Sequence, residues 1–292
     1  LKHPGNYRAT GGGEDPPYLS AAEDNTAYTV MSYTNSPAQY YPRYSVLDIA
    51  ALQYLYGPSK TSRTGNDTYP ISTTDNNFIW DGAGTDTITA ASCSQGCTVY
   101  LAPGYWGYVG SKASLITSPG QITVNFGTVI ENLTGSAYAD KLYGNDADNY
   151  INGGAGNDTI DGGLGNDTLT GGAGSDTFIV GSGADLITDL GFGGNDILTV
   201  GSGASATATV AQAWTATSAS QNSGTATLNS AGFAVNLTSV SQGSSGFTVR
   251  NTSATGTTLT GSALADTLIG NTGNDTIDGG LGNDTIDGGL GN

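Results

Sequence analysis

Basic residues, cysteines and long apolar runs are all scarce in this chain of 292 residues. Lys and Arg together number 8, against 25 Asp and Glu, which gives a formal net charge of −17. Nucleic acids and anionic membranes both require a basic protein surface, so neither is an expected partner. No run of about 18 apolar residues is present, so the sequence predicts no membrane span.

Cysteine and histidine are too few to build a metal site from these residue types alone. The chain contains two cysteines, Cys93 and Cys97, and one histidine, His3. No further cysteine or nearby histidine completes a zinc site around the segment CSQGC. Two interpretations of the pair stay open: a small disulfide loop in an oxidising compartment, or two unbonded thiols.

Glycine, by contrast, is abundant, with 46 residues, or about twice the usual share. Residues 153–179 contain three consecutive nonapeptides, GGAGNDTID, GGLGNDTLT and GGAGSDTFI. The pattern G-G-x-G-x-D-x-U-x, with U a large apolar residue, is typical of a calcium-binding parallel β-roll. A flexible Gly-rich linker gives no reason for Asp and an apolar residue to keep a fixed phase.

Each position of the nonapeptide has a physical role. The glycines permit tight turns with positive φ and bring backbone carbonyls close to an ion. The Asp supplies the hard, charged oxygen that Ca²⁺ prefers. The apolar eighth residue is expected to point inward from a short strand, so that stacked turns build a core from Ile160, Leu169 and Phe178.

The repeats divide the chain into four predicted parts. An amphipathic helix is predicted at 45–56, ended by Gly57 and Pro58, and alternation in 98–134 predicts strands. Core repeats run through 135–179, and a second block begins at 261 and stops inside a repeat. The predicted boundaries are 1–57 for an N-terminal part, 58–200 for a domain with the calcium roll, 201–256 for an Ala/Ser/Thr-rich β-like spacer, and 261–292 for a truncated second block.

Two N-terminal motifs have the form of a zinc-peptidase site: Leu1-Lys2-His3 matches the end of H-E-x-x-H-x-x-G-x-x-H, and Met31-Ser32-Tyr33 resembles the Met-turn. Together they resemble the motifs of the serralysins, which are secreted zinc endopeptidases of the metzincin clan. The resemblance implies that His3 and Tyr33 are zinc ligands, that Tyr33 also steadies the oxyanion during catalysis, and that Met31 packs beneath the metal. The implied fold is mostly β: a parallel β-roll preceded by the C-terminal remnant of a metzincin catalytic domain.

The same resemblance implies a calcium site ahead of the roll and a sharing of ions within it. The segments 62–67 and 80–87 look like the first calcium site of the serralysin C-terminal domain, and 129–132 looks like the entry to its roll. Two stacked loops share one ion in that family, so Asp158 and Asp176 should face a common site while Asp167 pairs with the neighbouring stack. The predicted calcium-site residues are Arg63, Gly65, Asp67, Asp81, Gly84, Asp86, Glu131, Asp140, Asn149, Gly154, Gly156, Asp158, Gly163, Gly165, Asp167, Gly172, Gly174, Asp176, Asp189, Asp196, Asp266, Gly273, Asp275, Gly280, Gly282 and Asp284.

Two functional hypotheses follow. The first is part of a secreted zinc endopeptidase whose calcium roll folds on export, with type I secretion apparatus and, in the intact enzyme, protein or peptide substrates as partners. Catalytic zinc needs about three protein ligands and a Glu base, and H-E-x-x-H is absent, so this polypeptide alone should be inactive. We expect a fragment of a longer enzyme rather than a natural remnant.

The alternative is a non-enzymatic calcium-binding module that serves adhesion or secretion, because the repeat itself carries no catalytic chemistry. Two further classes are excluded. A lipase would need a G-x-S-x-G elbow, which the sequence lacks. A nucleotide-binding loop would need G-K-[ST] after its glycines, and no such motif follows them.

Overall fold

The computed structural model describes residues 63–291, which form strands and turns but no helix. The predicted helix at 45–56 lies outside the described residues, as do His3, Met31 and Tyr33. Within the described part, no helix is long and apolar enough to cross a membrane.

Eleven strands form the largest sheet, and every neighbouring pair in it is parallel. In order across the sheet they are β1 (Thr68–Pro70), β3 (Thr87–Thr89), β7 (Asn132–Thr134), β9 (Tyr150–Ala155), β11 (Thr168–Ala173), β13 (Ala184–Leu190), β15 (Ser205–Val210), β18 (Thr225–Asn229), β21 (Phe247–Arg250), β23 (Thr267–Ile269) and β25 (Thr285–Asp287).

The second sheet has ten strands, and only β5 (Gly107–Val109) pairs antiparallel with its neighbours. Its order is β2 (Asn77–Ile79), β6 (Gln121–Val124), β5 (Gly107–Val109), β4 (Cys97–Tyr100), β8 (Lys141–Asn145), β10 (Thr159–Gly163), β12 (Thr177–Val180), β14 (Ile197–Val200), β17 (Gln221–Asn222) and β20 (Gln242–Gly243). A third sheet contains the four strands β16 (Trp214–Thr215), β19 (Val235–Asn236), β22 (Thr258–Thr260) and β24 (Thr276–Asp278).

Successive nonapeptides alternate between the two large sheets. Ile160 in β10 is in register with Leu142 and Phe178, which lie 18 residues away on either side. Leu169, in the intervening repeat, is in register with Ile151 in the other sheet. One complete turn of the roll therefore consumes two nonapeptides, one for each sheet.

The core of the roll is built from the apolar eighth residues of the repeats. Ile160, Leu169 and Phe178 are each 0% exposed, as are Leu142 and Ile151. The burial pattern of β10 alternates, because successive side chains of a strand point to opposite faces. The prediction of inward-pointing apolar residues, and with it the mostly β, parallel-roll fold class, is confirmed for the described residues.

The segment between the two repeat blocks continues the same solenoid. Its strands β15, β18 and β21 are inserted in the largest sheet between β13 and β23, without a break in the pairing. Residues 201–256 are therefore a structural section rather than an unpaired connection. The four predicted domain boundaries stay a proposal.

Candidate calcium sites

A column of aspartates runs along one edge of the roll. The backbone N–H of Asp140 donates to Oδ1 of Asp158, and that of Asp158 donates to Oδ1 of Asp176, each at 2.8 Å. Asp176 donates in turn to Oδ1 of Asp196 at 2.9 Å. We call these four residues the first column.

A second column contains Asn149, Asp167 and Asp185. The N–H of Asn149 donates to Oδ1 of Asp167 at 2.8 Å, and that of Asp167 donates to Oδ1 of Asp185 at 3.1 Å. Asp158 and Asp176 thus share one column while Asp167 belongs to the other. This geometry is the one that a sharing of ions between alternate repeats requires.

The second carboxylate oxygen of the inner aspartates has no partner within the protein. Oδ2 of Asp158, Asp167, Asp176 and Asp185 is buried without a hydrogen bond. A buried carboxylate oxygen left unpaired is costly, and native structures rarely leave one. A bound Ca²⁺ would satisfy these atoms, because it coordinates hard carboxylate and backbone oxygens.

The turn glycines leave the space beside these oxygens open. A Cβ on Gly162 would lie 2.1 Å from Oδ2 of Asp167, and a Cβ on Gly171 would lie 2.3 Å from Oδ2 of Asp176. Any side chain there would fill the space that a cation needs. All the predicted turn glycines except Gly65 and Gly273 have positive φ, namely Gly84, Gly154, Gly156, Gly163, Gly165, Gly172, Gly174, Gly280 and Gly282.

Burial also makes these carboxylates poor acids when no cation is bound. It raises the pKa of Asp158 to about 7, against the lowering effect of the N–H of Asp140 and with a further increase from the charges of Asp176 and Asp140. Burial likewise raises the pKa of Asp167 and Asp176 to about 6. It raises the pKa of Asp185 and Asp196 to about 7. Desolvation disfavours the charged form, and a bound cation would restore it.

The two ends of the first column differ from its middle, because the protein occupies both oxygens there. Asp140 accepts from the N–H groups of Cys97 at 2.6 Å and Ser136 at 2.5 Å. Asp196 accepts from Asp176 and, through Oδ2, from Gly191 at 2.6 Å. The end aspartates therefore need a cation less than the inner ones.

The turn that stacks on Asp140 ends at Cys97, directly before the pairing of Thr98 with Lys141. Cys97 thus occupies the position that Asp takes in the later repeats, a substitution that the nonapeptide pattern did not reveal. Cys93 and Cys97 are both buried free thiols in the structure. Burial and the nearby Asp140 carboxylate raise the pKa of both thiols.

Asn149 and Asp189 are predicted site residues with different surroundings from the inner aspartates. The amide nitrogen of Asn149 donates to the carbonyl oxygens of Ile130 at 3.3 Å and Glu131 at 3.2 Å. Asp189 accepts from Gly171 at 2.9 Å and Gly172 at 2.8 Å, one bond to each oxygen. Asn149 directly precedes β9 and Asp189 lies in β13, and the calcium roles of both stay proposals.

A separate acidic cluster precedes the roll. Asp67, Asp81 and Asp86 each offer a carboxylate oxygen, and these oxygens lie within 4.8 Å of one another. Asp67 donates its N–H to Oδ1 of Asp86 at 2.8 Å, while Oδ2 of Asp86 is buried without a partner. Tyr69 donates its hydroxyl to Asp81. The structure therefore brings together three carboxylates from the two segments that the resemblance had paired.

The other residues predicted for this site lie around the three carboxylates of Asp67, Asp81 and Asp86. The carbonyl oxygen of Arg63 accepts from the N–H groups of Gly82 and Ala83, both at 3.2 Å. A Cβ on Gly84 would lie 2.1 Å from the carbonyl oxygen of Gly65. Glu131 accepts the N–H of Asp86 at 2.8 Å. Burial, and then the charges of Asp81 and Glu131, raise the pKa of Asp86 although the N–H of Asp67 lowers it.

The second repeat block has the same hydrogen-bond pattern. Asp266 donates its N–H to Oδ1 of Asp284 at 3.0 Å. Thr257 donates to Oδ1 of Asp275 at 2.9 Å, and Oδ2 of Asp275 is buried without a partner. This block therefore presents at least one further buried oxygen of the kind seen in the columns.

Asp185 is the one column residue that sequence reasoning missed. It lies in the segment GSGADLITD, where the glycines no longer match the nonapeptide. The signal that finds it is its spacing, because it follows Asp167 by 18 residues and Asp176 by nine. The Asp phase therefore persists one repeat further than the glycine pattern.

Comparison with known sequence families finds a match over four stretches of the chain. Residues 71–92, 127–160, 152–187 and 260–292 match the family of the RTX calcium-binding nonapeptide repeat. These ranges contain the acidic cluster from Asp81 onward, both columns up to Asp185, and the second block. Over these ranges the chain is similar to the RTX calcium-binding nonapeptide repeat, and the described fold is a parallel β-roll.

Known proteins to which the chain is similar include two serralysins and a metalloprotease. It is 37% identical over 174 residues to "Serralysin" of Proteus mirabilis, a match that covers 52% of this chain and 34% of the relative. It is 40% identical over 165 residues to "Serralysin C" of Dickeya chrysanthemi, covering 49% of this chain and 33% of that protein. "Metalloprotease AprA" of Pseudomonas entomophila is 32% identical over 178 residues, covering 52% of this chain and 35% of the relative. The chain is serralysin-related over about half its length and spans about a third of these relatives.

Proposed function

We propose that this chain supplies the calcium-dependent β-roll of a secreted zinc endopeptidase of the serralysin type. The observation that carries the calcium part is the series of buried Oδ2 atoms without partners in Asp158, Asp167, Asp176 and Asp185. In each of these residues Oδ1 accepts a backbone N–H, which fixes the carboxylate in place. Oδ2 is therefore held in position and is free to ligate a cation.

Calcium binding and folding of the roll form one equilibrium in this proposal. Without the ion, adjacent carboxylates repel and the Gly-rich backbone has a high ordering cost. With the ion, ligand binding and strand formation occur together. Extracellular calcium modules bind at roughly 10⁻⁴–10⁻³ M, concentrations found outside cells, so the roll would fold after export, with the type I secretion apparatus as a partner.

A calcium titration followed by far-ultraviolet circular dichroism tests the proposal. We expect residues 135–200 to gain β-structure with a midpoint near roughly 10⁻⁴–10⁻³ M calcium. Magnesium should not replace calcium, because Mg²⁺ demands tight octahedral geometry and gives up its waters reluctantly. A spectrum unchanged up to about 10 mM calcium, tenfold above that range, would exclude a calcium roll.

The zinc part of the proposal rests on His3, Met31 and Tyr33 and on the names of the relatives. In the intact enzyme His3 and Tyr33 would ligate zinc, whose chemistry is to activate water for attack on a peptide. The polypeptide as printed has one histidine and no H-E-x-x-H. We therefore expect no zinc-dependent turnover of casein by it, and chelator-sensitive turnover above that of a His3→Ala variant would contradict this.

A further inference from the structure

The solenoid has a middle section, residues 197–251, that contains no acidic residue. Between Asp196 and Asp266 the only charged side chain is Arg250. The strands of this section nevertheless continue the largest sheet from β13 through β15, β18 and β21 to β23. The same sheet thus passes from turns built for a cation, through turns without one, to a second acidic block.

Side-chain amides hold the turns of the middle section together. The amide nitrogen of Asn222 donates to the carbonyl oxygen of Gly246 at 2.6 Å, and its Oδ1 accepts from Gly224 at 3.0 Å. Asn251 donates to Thr255 at 2.8 Å and accepts from Ser253 at 3.0 Å. An amide here gives carbonyl oxygens the positive partner that a bound cation would give them in the repeats.

No described residue in 197–251 has a buried side-chain polar atom without a hydrogen-bond partner. The buried Asn222, Ser220 and Asn251 are all hydrogen-bonded within the protein. In the flanking blocks, by contrast, Asp185 and Asp275 each leave an oxygen unpaired. The buried polar side chains of the middle section are thus satisfied by hydrogen bonds within the protein, whereas those of the flanking blocks are not.

The middle section also contains two of the three largest fully buried side chains among the described residues. Trp214 and Phe247 are among the largest fully buried residues of the described chain. The indole nitrogen of Trp214 donates to the carbonyl oxygen of Asp196 at 3.0 Å, which joins the section to the end of the first column. Large buried aromatics contribute strongly to core stability, and the core repeats 135–179 bury only one, Phe178.

From these contrasts we propose that residues 197–251 fold without calcium and present the sheet edges on which both repeat blocks assemble. Adding a strand to a formed edge avoids the cost of closing a new long-range contact. In a solenoid each turn contacts only its neighbours, so order can propagate from a stable section. The inference about assembly rests on the proposed calcium function, but the calcium-free stability of the section does not.

Hydrogen exchange of the full chain, measured by mass spectrometry, tests whether residues 197–251 fold without calcium. In calcium-free buffer we expect protected amides in β15, β18 and β21 and rapid exchange in β9 to β12. Saturating calcium should then protect β9 to β12 by at least tenfold. Protection of the middle section that appears only at the same calcium midpoint as the repeats would overturn the proposal. Unchanged exchange in β9 to β12 at saturating calcium would instead overturn the proposed calcium function.

A pair of variants tests the role of the section as a template. Leu228 is fully buried in β18, while the neighbouring Thr227 points outward. We expect Leu228→Ala to reduce calcium-free protection of the section and to raise the calcium midpoint of β9 to β12 several-fold, with Thr227→Ala unchanged. Should Leu228→Ala fail to fold, the milder Leu228→Val takes its place. If Leu228→Ala removes the calcium-free protection of the middle section but leaves the calcium midpoint of β9 to β12 unchanged, the repeats do not need the section as a template. That result would overturn the assembly step.

Discussion

The aspartates of the roll differ in how many of their oxygens the protein itself occupies. Asp140 and Asp196, at the ends of the first column, have hydrogen bonds to both oxygens. Asp167 and its inner neighbours use only Oδ1. Because an unpaired buried carboxylate oxygen is the atom a cation would ligate, calcium affinity should depend most on the inner aspartates.

Asp167→Asn removes the charge and keeps Oδ1 as an acceptor for Asn149. We expect the calcium midpoint to rise about tenfold, equivalent to about 1.4 kcal/mol of binding free energy, and the transition to become less cooperative. Calcium titrations by circular dichroism measure both. Asp75→Asn is the matched control, because Asp75 is exposed in a turn outside the columns and should leave the midpoint unchanged. An equal shift in both variants would assign the effect to net charge alone.

Two glycine-to-alanine substitutions distinguish the effect of filling the space beside an Asp oxygen from the effect of reduced backbone flexibility. A Cβ on Gly162 would meet Oδ2 of Asp167 at 2.1 Å, whereas a Cβ on Gly181 would meet nothing within 4 Å. We expect Gly162→Ala to raise the calcium midpoint more than tenfold or to abolish the transition, and Gly181→Ala to shift it less than twofold. Isothermal titration calorimetry gives the affinity, and similar affinities for the two variants would refute a role for this space.

At the scale of the repeat strands, the raised pKa values of the column aspartates predict that protonation at low pH stabilises the roll when no calcium is bound. A carboxyl group whose folded pKa is raised stabilises the fold when protonated; that stability is present below the ordinary pKa of 3.8 and is lost as pH rises through the folded value. The folded values are about 6 for Asp167 and Asp176, and about 7 for Asp158, Asp185 and Asp196.

We therefore expect the repeats of the calcium-free protein to keep their β-structure near about pH 4 and to lose it as pH rises through about 6 to 7, while residues 197–251 stay folded. Circular dichroism against pH, in buffer freed of divalent ions, measures this loss. Saturating calcium at neutral pH should restore the signal, and the calcium midpoint should rise as pH falls because protons compete for the same oxygens. A calcium-free signal that instead increases between about pH 5 and 8 would reverse the predicted sign.

How far these strands could be predicted depended on local chemistry. The nonapeptide places Gly, Asp and an apolar residue in fixed phase, so the buried positions of Ile160 and Leu169 could be predicted. The pairing of Asp158 with Asp176 was expected only from the resemblance to the serralysins. The continuation of the solenoid through 201–256 could not, because its turns are held by amides such as Asn222 and by Trp214, which carry no repeat signal. Asp185 was missed for a similar reason, since its glycines depart from the pattern while its Asp phase does not.

For the molecule as a whole, the net charge of −17 sets its behaviour without calcium. All of the acidic residues after Lys141 are Asp, and several of them lie close together in the columns, so self-repulsion opposes the compact state. Salt screens exposed charges over a Debye length of about 10 Å at 0.1 M, but it cannot occupy a buried oxygen. The screening of charge repulsion by salt can therefore be distinguished by experiment from the ligation of calcium by the buried Asp oxygens.

Small-angle X-ray scattering distinguishes the two at this scale. An unfolded chain of this length has a radius of gyration of about 60 Å and a compact one about 19 Å, so loss of the roll is readily measured. We expect millimolar calcium to reduce the radius of gyration clearly, and sodium chloride at the same ionic strength to leave it nearly unchanged. The Asp167→Asn variant should need more calcium for the same compaction although it carries one negative charge fewer. Equal compaction by sodium chloride would mean that charge screening, rather than ligation of the unpaired Asp oxygens, condenses the chain.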